Sequence, residues 1–205
     1  LNSLTGVQYE RLVLGKWVAA AGALWHYKMI DDHRRPAPPL DHFVQIVVGV
    51  DPAVTNTATS DETGIVVVGQ TVDGQYYVLA DYSLNASPEG WAAKVAEAYD
   101  RWQANWIVAE VNNGGDLVVS TIHAHRRSLP VEKVNASRGK QVRAQPVAVL
   151  YERGEVSHTQ AFHTLEDQMT TWEPGAKSPD RMDALVWGLT ALLEGNQVTH
   201  SFMDY

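Results

Sequence analysis

The sequence predicts an α/β fold, in which a mixed central sheet, an antiparallel meander joined by parallel strands, is flanked by helices. Three observations carry that expectation. Residues 44–50 (Val-Gln-Ile-Val-Val-Gly-Val) and 106–111 (Trp-Ile-Val-Ala-Glu-Val) are short, nearly continuous apolar runs, the pattern of strands buried on both faces. Two more apolar runs, 65–70 and 76–82, are separated by a turn at Asp73-Gly74, as in a hairpin. Helical segments with their own start signals fill the spaces between and after them. The chain has 205 residues, 45% hydrophobic and 20% charged, which suits one domain with a full core plus an appendage.

Residues 1–43 differ from the rest. The first 25 alternate small apolar residues, glycine and a few charges, and Pro36-Ala37-Pro38-Pro39 follows. Three prolines in four residues cannot sit inside a helix or a central strand, so this stretch reads as an extended connector. The main boundary falls near Asp41, dividing the chain into 1–40, 41–195 and a tail at 196–205. The first strand ends at Asp51-Pro52. Ser87 caps a helix that runs to about Gln103, with Pro88 at its first position. The strand at 106–111 closes on Asn112-Asn113-Gly114-Gly115. A helix is expected at 116–127 and a short strand at 131–134, then helices at 140–152, 161–171 and 180–194.

Composition excludes several function classes. Without cysteine there is no disulfide framework, zinc ribbon, iron–sulfur cluster or thiol nucleophile, which fits a reducing compartment. No run reaches the ~18–20 apolar residues of a membrane span, and no charged-then-apolar leader is expected. The formal charge is −8, an acidic balance that argues against a nucleic-acid partner. Position matters more than the sum. Residues 121–143 hold Arg126, Arg127, Lys133, Arg138, Lys140 and Arg143 against one acid, Glu132, while the remainder is strongly acidic.

Three carboxylates stand out. Asp51 and Glu110 each terminate a buried strand, and in an α/β sheet the carboxyl ends of adjacent strands form the usual ligand crevice. The third lies in Ser178-Pro179-Asp180-Arg181-Met182-Asp183-Ala184-Leu185. There Met182, Leu185, Val186, Leu189, Leu192 and Leu193 make one apolar stripe at helical spacing. Asp183 falls at the stripe's edge and is expected to face the sheet. Asp180 points almost opposite, where a first-turn acid complements the helix dipole. Converging acids without a histidine pair suit hard cations, Mg²⁺ or Mn²⁺. Two such ions about 3.5–4 Å apart can activate a water and stabilise the leaving oxygen in phosphodiester hydrolysis. They also cancel the acidic charge that would repel phosphate. His123 and His125, two apart on a predicted helix, face different ways and make a poor metal pair.

Four segments occur in order: Gly49-Val50-Asp51-Pro52-Ala53, Asp61-Glu62-Thr63-Gly64-Ile65-Val66-Val67, Ala109-Glu110-Val111-Asn112-Asn113-Gly114-Gly115, and Ser178 to Leu185 as above. Together they resemble the C-terminal nuclease domain of large terminase subunits from tailed bacteriophages, a ribonuclease H-like fold. Asn2-Ser3-Leu4-Thr5-Gly6 and Tyr9-Glu10-Arg11-Leu12-Val13-Leu14-Gly15-Lys16-Trp17 resemble the end of the terminase packaging ATPase, which makes 1–40 a remnant of that motor and its linker. The resemblance implies that Asp51, Glu110 and Asp183 bind the metal ions and carry catalysis, with Asp61 as an auxiliary acid, while Asp180 stays a supporting candidate from its place on the helix. It further implies that Arg138, Lys140 and Arg143 face DNA and touch phosphates, a surface that Arg126 and Arg127 can extend. The implied activity is endonucleolytic cutting of double-stranded concatemeric DNA during genome packaging, with two divalent cations. The implied partners are the small terminase subunit and the portal, in the cytoplasm of the infected bacterium.

No phosphate-cradling Gly-x-x-x-x-Gly-Lys-[Ser/Thr] occurs, since Leu14-Gly15-Lys16-Trp17 lacks the upstream glycine and the hydroxyl residue, so no ATPase activity is expected. Two rivals remain at this level. One keeps the fold and changes the enzyme to a resolvase, transposase or ribonuclease H. The other is an actin-like nucleotide-binding domain, disfavoured because residues 52–60 hold no glycine to grip a phosphate.

Overall fold

Strand β1 (Phe43–Asp51) forms the middle of the sheet, paired antiparallel with β2 (Gly64–Thr71) and parallel with β4 (Trp106–Glu110). The computed structural model describes residues 22–52, 62–111, 115–135, 140–173, 175–176 and 179–201. β2 turns back into β3 (Tyr76–Asp81), β5 (Val131–Val134) runs parallel to β4, and β6 (Val156–His158) runs parallel to β3. The order across the sheet is β5-β4-β1-β2-β3-β6. The meander flanked by parallel strands is the arrangement the sequence predicts. The addition is β6, whose three residues are too few to show a period. It exists because Tyr76, Tyr77 and Val78 of β3 pair with Val156, Ser157 and His158.

Among the described residues six α-helices flank the sheet: α1 (Tyr27–Asp31), α2 (Pro88–Arg101), α3 (Gly115–His125), α4 (Lys140–Glu152), α5 (His163–Thr171) and α6 (Asp180–Ser201). The Ser87 hydroxyl accepts from the Gly90 amide at 3.2 Å, so the predicted cap is real. α6 runs on to Ser201, past its expected end at 194 and into the stretch read as a tail.

Alternation along the strands divides the core in two. Ile46, Val48 and Val50 of β1, with Ile65, Val67, Ile107 and Ala109, pack against Trp91 and Val95 of α2 and Ile122 of α3. Val47, Val66, Val68, Val78 and Val108 face the opposite way, onto Val147 and Tyr151 of α4, Leu165 of α5 and Met182, Leu185 and Leu189 of α6. Each such fully buried side chain contributes roughly 1.5–3 kcal/mol. The second core also takes Trp25 and Ile30, with Trp25 edge-on to Tyr151 at 6.3 Å.

The connector is tied down beside them. Arg34 donates through Nη1 and Nη2 to the two carboxylate oxygens of buried Glu166, at 2.8 and 3.1 Å. His158 Nδ1 lies 2.9 Å from Glu166 Oε1, and Tyr151 Oη lies 2.8 Å from His158 Nε2. Burial alone raises the Glu166 pKa, but the hydrogen bonds from His158 and Arg34 outweigh it and bring the carboxyl down to about 2. Burial pushes His158 down, more than the Glu166 carboxylate raises it. The neutral ring therefore donates from Nδ1 to Glu166 and accepts the Tyr151 hydroxyl at Nε2.

Candidate metal centre

The alternation that sorts the core also aims two of the acids. Val47 faces α6, so Asp51, four residues on along the same strand, leaves the sheet on that side. Val108 faces α6 as well, which puts Glu110 on the same face. Val50 pairs with Ala109, and continuing that parallel register sets Asp51 level with Glu110.

The third acid arrives because α6 lies against bare backbone. A Cβ at Gly49 would stand 2.1 Å from the Ala184 carbonyl oxygen, and one at Gly64 would stand 2.0 Å from that of Asp180. Only glycine permits this approach, and it draws Asp183, next to Ala184, down to the sheet. Arg181 fastens the same end of the helix, donating to both carboxylate oxygens of Glu62 and to Asp81 Oδ2. Carboxylate oxygens of Asp51, Glu110 and Asp183 consequently lie within 4.8 Å of one another. Glu110 and Asp183 are buried and Asp51 is half-buried.

Glu110 has two neighbours that sequence reasoning did not connect to it. The Trp187 indole N–H donates to Glu110 Oε2 at 2.5 Å. Arg143 Nη1 stands 3.5 Å from the same oxygen, and the guanidinium stacks over the Trp187 ring at 4.1 Å. Trp187 is one helical turn beyond Asp183, so both project from one face of α6. That spacing was the available signal, obscured because a tryptophan within an apolar stripe reads as core. The formal charge of the three carboxylates and this guanidinium is −2, a negative site that divalent cations would offset.

Other residues singled out from sequence lie elsewhere. Asp61 and Arg138 fall outside the described residues, as does the side chain of Lys140. Asp180 is half-buried in the first turn of α6 and is not in the carboxylate cluster. Arg143 is buried rather than spread on an open surface. Arg126 and Arg127 follow the C-terminal end of α3, remote from the Glu110 end of β4, because α3 runs back along the sheet. Arg126 is engaged there by both oxygens of Asp100, at 2.8 and 2.9 Å, and Arg127 is exposed. His123 Nε2 lies 3.1 Å from the Leu129 carbonyl, a local contact that takes no part in the centre.

Residues 48–192 match the model of the terminase RNaseH-like domain family. The chain belongs to that family. Among solved structures, this terminase domain is similar to the large terminase nuclease of thermophilic phage G20c, at 13% identity over 83% of this chain and 98% of that one, with a TM-score of 0.60. It is also similar to the human cytomegalovirus terminase nuclease domain, at 15% identity over 80% and 91% of the two chains, TM-score 0.58. A third likeness, to the large terminase of another thermophilic bacteriophage, covers 93% of this chain but 50% of that one, at 16% identity and a TM-score of 0.60. At such identities the likeness establishes the ribonuclease H-like fold. No curated protein matches the terminase domain in sequence. The G20c nuclease has been solved with bound magnesium, zinc and cobalt, and the cytomegalovirus domain was soaked in manganese. The donor set here is three carboxylates, with neither nitrogen nor sulfur, and it can hold a hard divalent cation.

Proposed function

We propose that this domain is the metal-dependent endonuclease of a phage large terminase, cutting the phosphodiester bonds of concatemeric DNA during packaging. The observation that carries the reading is the convergence of Asp51, Glu110 and Asp183, from two neighbouring strands and the helix lying across them. These three would hold the cations, Mg²⁺ or Mn²⁺ and two in number. Bound there, the cations would supply Lewis acidity for the attacking water and for the departing 3′ oxygen. The protein's own part is electrostatic and positional. Carboxylates crowded within 4.8 Å repel one another, and positive charge relieves that repulsion. Burial of Glu110 and Asp183 keeps water from screening it. Trp187 fixes the rotamer of Glu110, so that the carboxylate is aimed before any ligand arrives. Arg138 and Lys140 are proposed to follow the phosphate backbone without reading bases, alongside the small subunit and portal as partners. The setting that follows is the cytoplasm of the infected bacterium.

Supercoiled plasmid incubated with the protein in Mn²⁺, Mg²⁺ or EDTA tests the reading. Nicking or linearisation is expected with either cation, none in EDTA, and none with Asp51→Ala. A folded chain that leaves the plasmid intact in every cation would refute it.

Trp187 gives a finer expectation. Trp187→Phe keeps an aromatic ring beneath Arg143 but loses the N–H donated to Glu110 along with the second ring of the indole. Partners that orient a ligand typically contribute 10–100-fold to metal affinity. Mn²⁺ affinity, read by calorimetry on the intact chain, is therefore expected to fall at least about tenfold, with recovery of cutting at higher Mn²⁺.

A further inference from the structure

We propose that Arg143 forms an anion subsite beside the metal centre, its free Nε–Nη2 edge seating one phosphate of the bound nucleic acid. The inference rests on the nuclease reading and assigns Arg143 a specific place within it. A guanidinium has two edges that can grip an oxyanion with paired parallel hydrogen bonds, Nη1 with Nη2 or Nε with Nη2. In this protein Nη1 is directed to Glu110 Oε2, 3.5 Å away. Nε and Nη2, the two atoms of the remaining edge, are both buried and have no hydrogen-bond partner among the described residues. The side chain is only 7% exposed.

Two buried N–H donors on a charged group are costly when nothing accepts from them. Arg143 is not loosely placed either. Its face lies on the Trp187 ring at 4.1 Å, and Trp187 itself is tied to Glu110, so the plane of the fork is set by the residues that shape the metal centre. A fork held in a fixed plane, one corner on a carboxylate of the centre and the other edge buried without a protein acceptor among the described residues, complements a tetrahedral oxyanion that reaches the same centre. A phosphodiester is such a group. Its non-bridging oxygens would accept from Nε and Nη2 while its phosphorus lies towards the carboxylates. A generic surface cation would neither be buried nor need a stacked platform.

The experiment compares wild type, Arg143→Ala and Arg143→Lys, with Arg153→Ala as a control for the loss of one positive charge after the far end of the same helix. Binding of a short fluorescent duplex is followed in EDTA over a range of salt, and cutting is followed separately in Mn²⁺. Each phosphate contact contributes about −0.9 to the slope of log affinity against log salt. Arg143→Ala is expected to lose about one unit of that slope, while Arg153→Ala keeps the wild-type value. Arg143→Lys keeps the charge but not the fork, so its slope should hold while kcat/KM falls about tenfold or more, the loss of a charge-assisted hydrogen bond. A purely structural Arg143, serving only as a partner for Glu110, predicts an unchanged slope in both variants. Wild-type slope and affinity in a normally melting Arg143→Ala would overturn the subsite. If the alanine variant does not melt like wild type, the lysine variant decides, and wild-type kcat/KM in it overturns the proposal equally. A wild-type protein that neither binds nor cuts DNA would instead sink the nuclease reading on which the proposal stands.

Discussion

Asp183→Ala is expected to lower metal-dependent cleavage at least about a hundredfold, about 2.7 kcal/mol of barrier, while Asp180→Ala keeps most of it. The two acids are three residues apart in the first turn of one helix, yet Asp183 is buried among the carboxylates and Asp180 is outside the cluster. Stability separates a site defect from a folding defect. Removing one of three carboxylates whose oxygens lie within 4.8 Å relieves like-charge repulsion, so the metal-free Asp183→Ala protein should melt no lower than wild type. Mn²⁺ should raise the melting temperature of wild type and Asp180→Ala by mass action, and leave Asp183→Ala nearly unmoved. Equal loss of cutting in both variants would overturn the assignment of roles along the helix.

Glu166→Ala is expected to be the most damaging substitution away from the centre. It leaves a buried imidazole N–H and the forked guanidinium of Arg34 without their acceptor. Breaking a buried charge pair from one side costs roughly 3–5 kcal/mol. In a domain of this size that lowers the melting temperature by about 10 °C. The same network makes the fold acid-labile. Glu166 has its pKa lowered from 4.5 to about 2 in the folded chain, so its contribution is complete above about pH 4.5 and fades as pH falls towards 2. His158 is depressed below 6.5, so the folded state also resists its protonation, and that contribution is lost as pH falls from 6.5. Both act in one direction. Urea unfolding between pH 7 and pH 3 should show stability falling steadily in wild type and more shallowly in Glu166→Gln. Parallel pH profiles would remove the network from the account.

Much of this was legible in the chain. Two apolar runs each ending in an acid announced Asp51 and Glu110, because the fold uses the ends of buried strands for ligands. Asp183 was legible by the other period, since 100° per residue places it at the edge of the stripe that packs on the sheet. The expected hairpin, the Ser87 cap and the five expected strands followed from local patterns that tertiary context did not override.

Other features needed the folded structure. β6 is three residues long and becomes a strand only because β3 offers it an edge. Arg143 sits in a basic stretch of sequence and reads as solvated surface, yet it is buried on a tryptophan 44 positions away. Trp187 looks like any large apolar residue of its helix until its N–H is found 77 positions away in sequence from the carboxylate that accepts it. Arg34 follows a short helix in a connector that reads as extended, and is bound to a glutamate 132 residues on.

The sequence by itself indicated five of the strands, the helices after Ser87 and three candidate carboxylates, with Asp183 set against the sheet. All of these depend on apolar runs, turn and cap residues and the period of about 3.6 residues, which are local information. Only the tertiary structure decided how closely the acids meet, what orients Glu110 and where the charges of Arg34 and Arg143 are spent. Those outcomes depend on the backbone approach that Gly49 and Gly64 permit, and on partners brought together from distant parts of the chain. No periodicity encodes them.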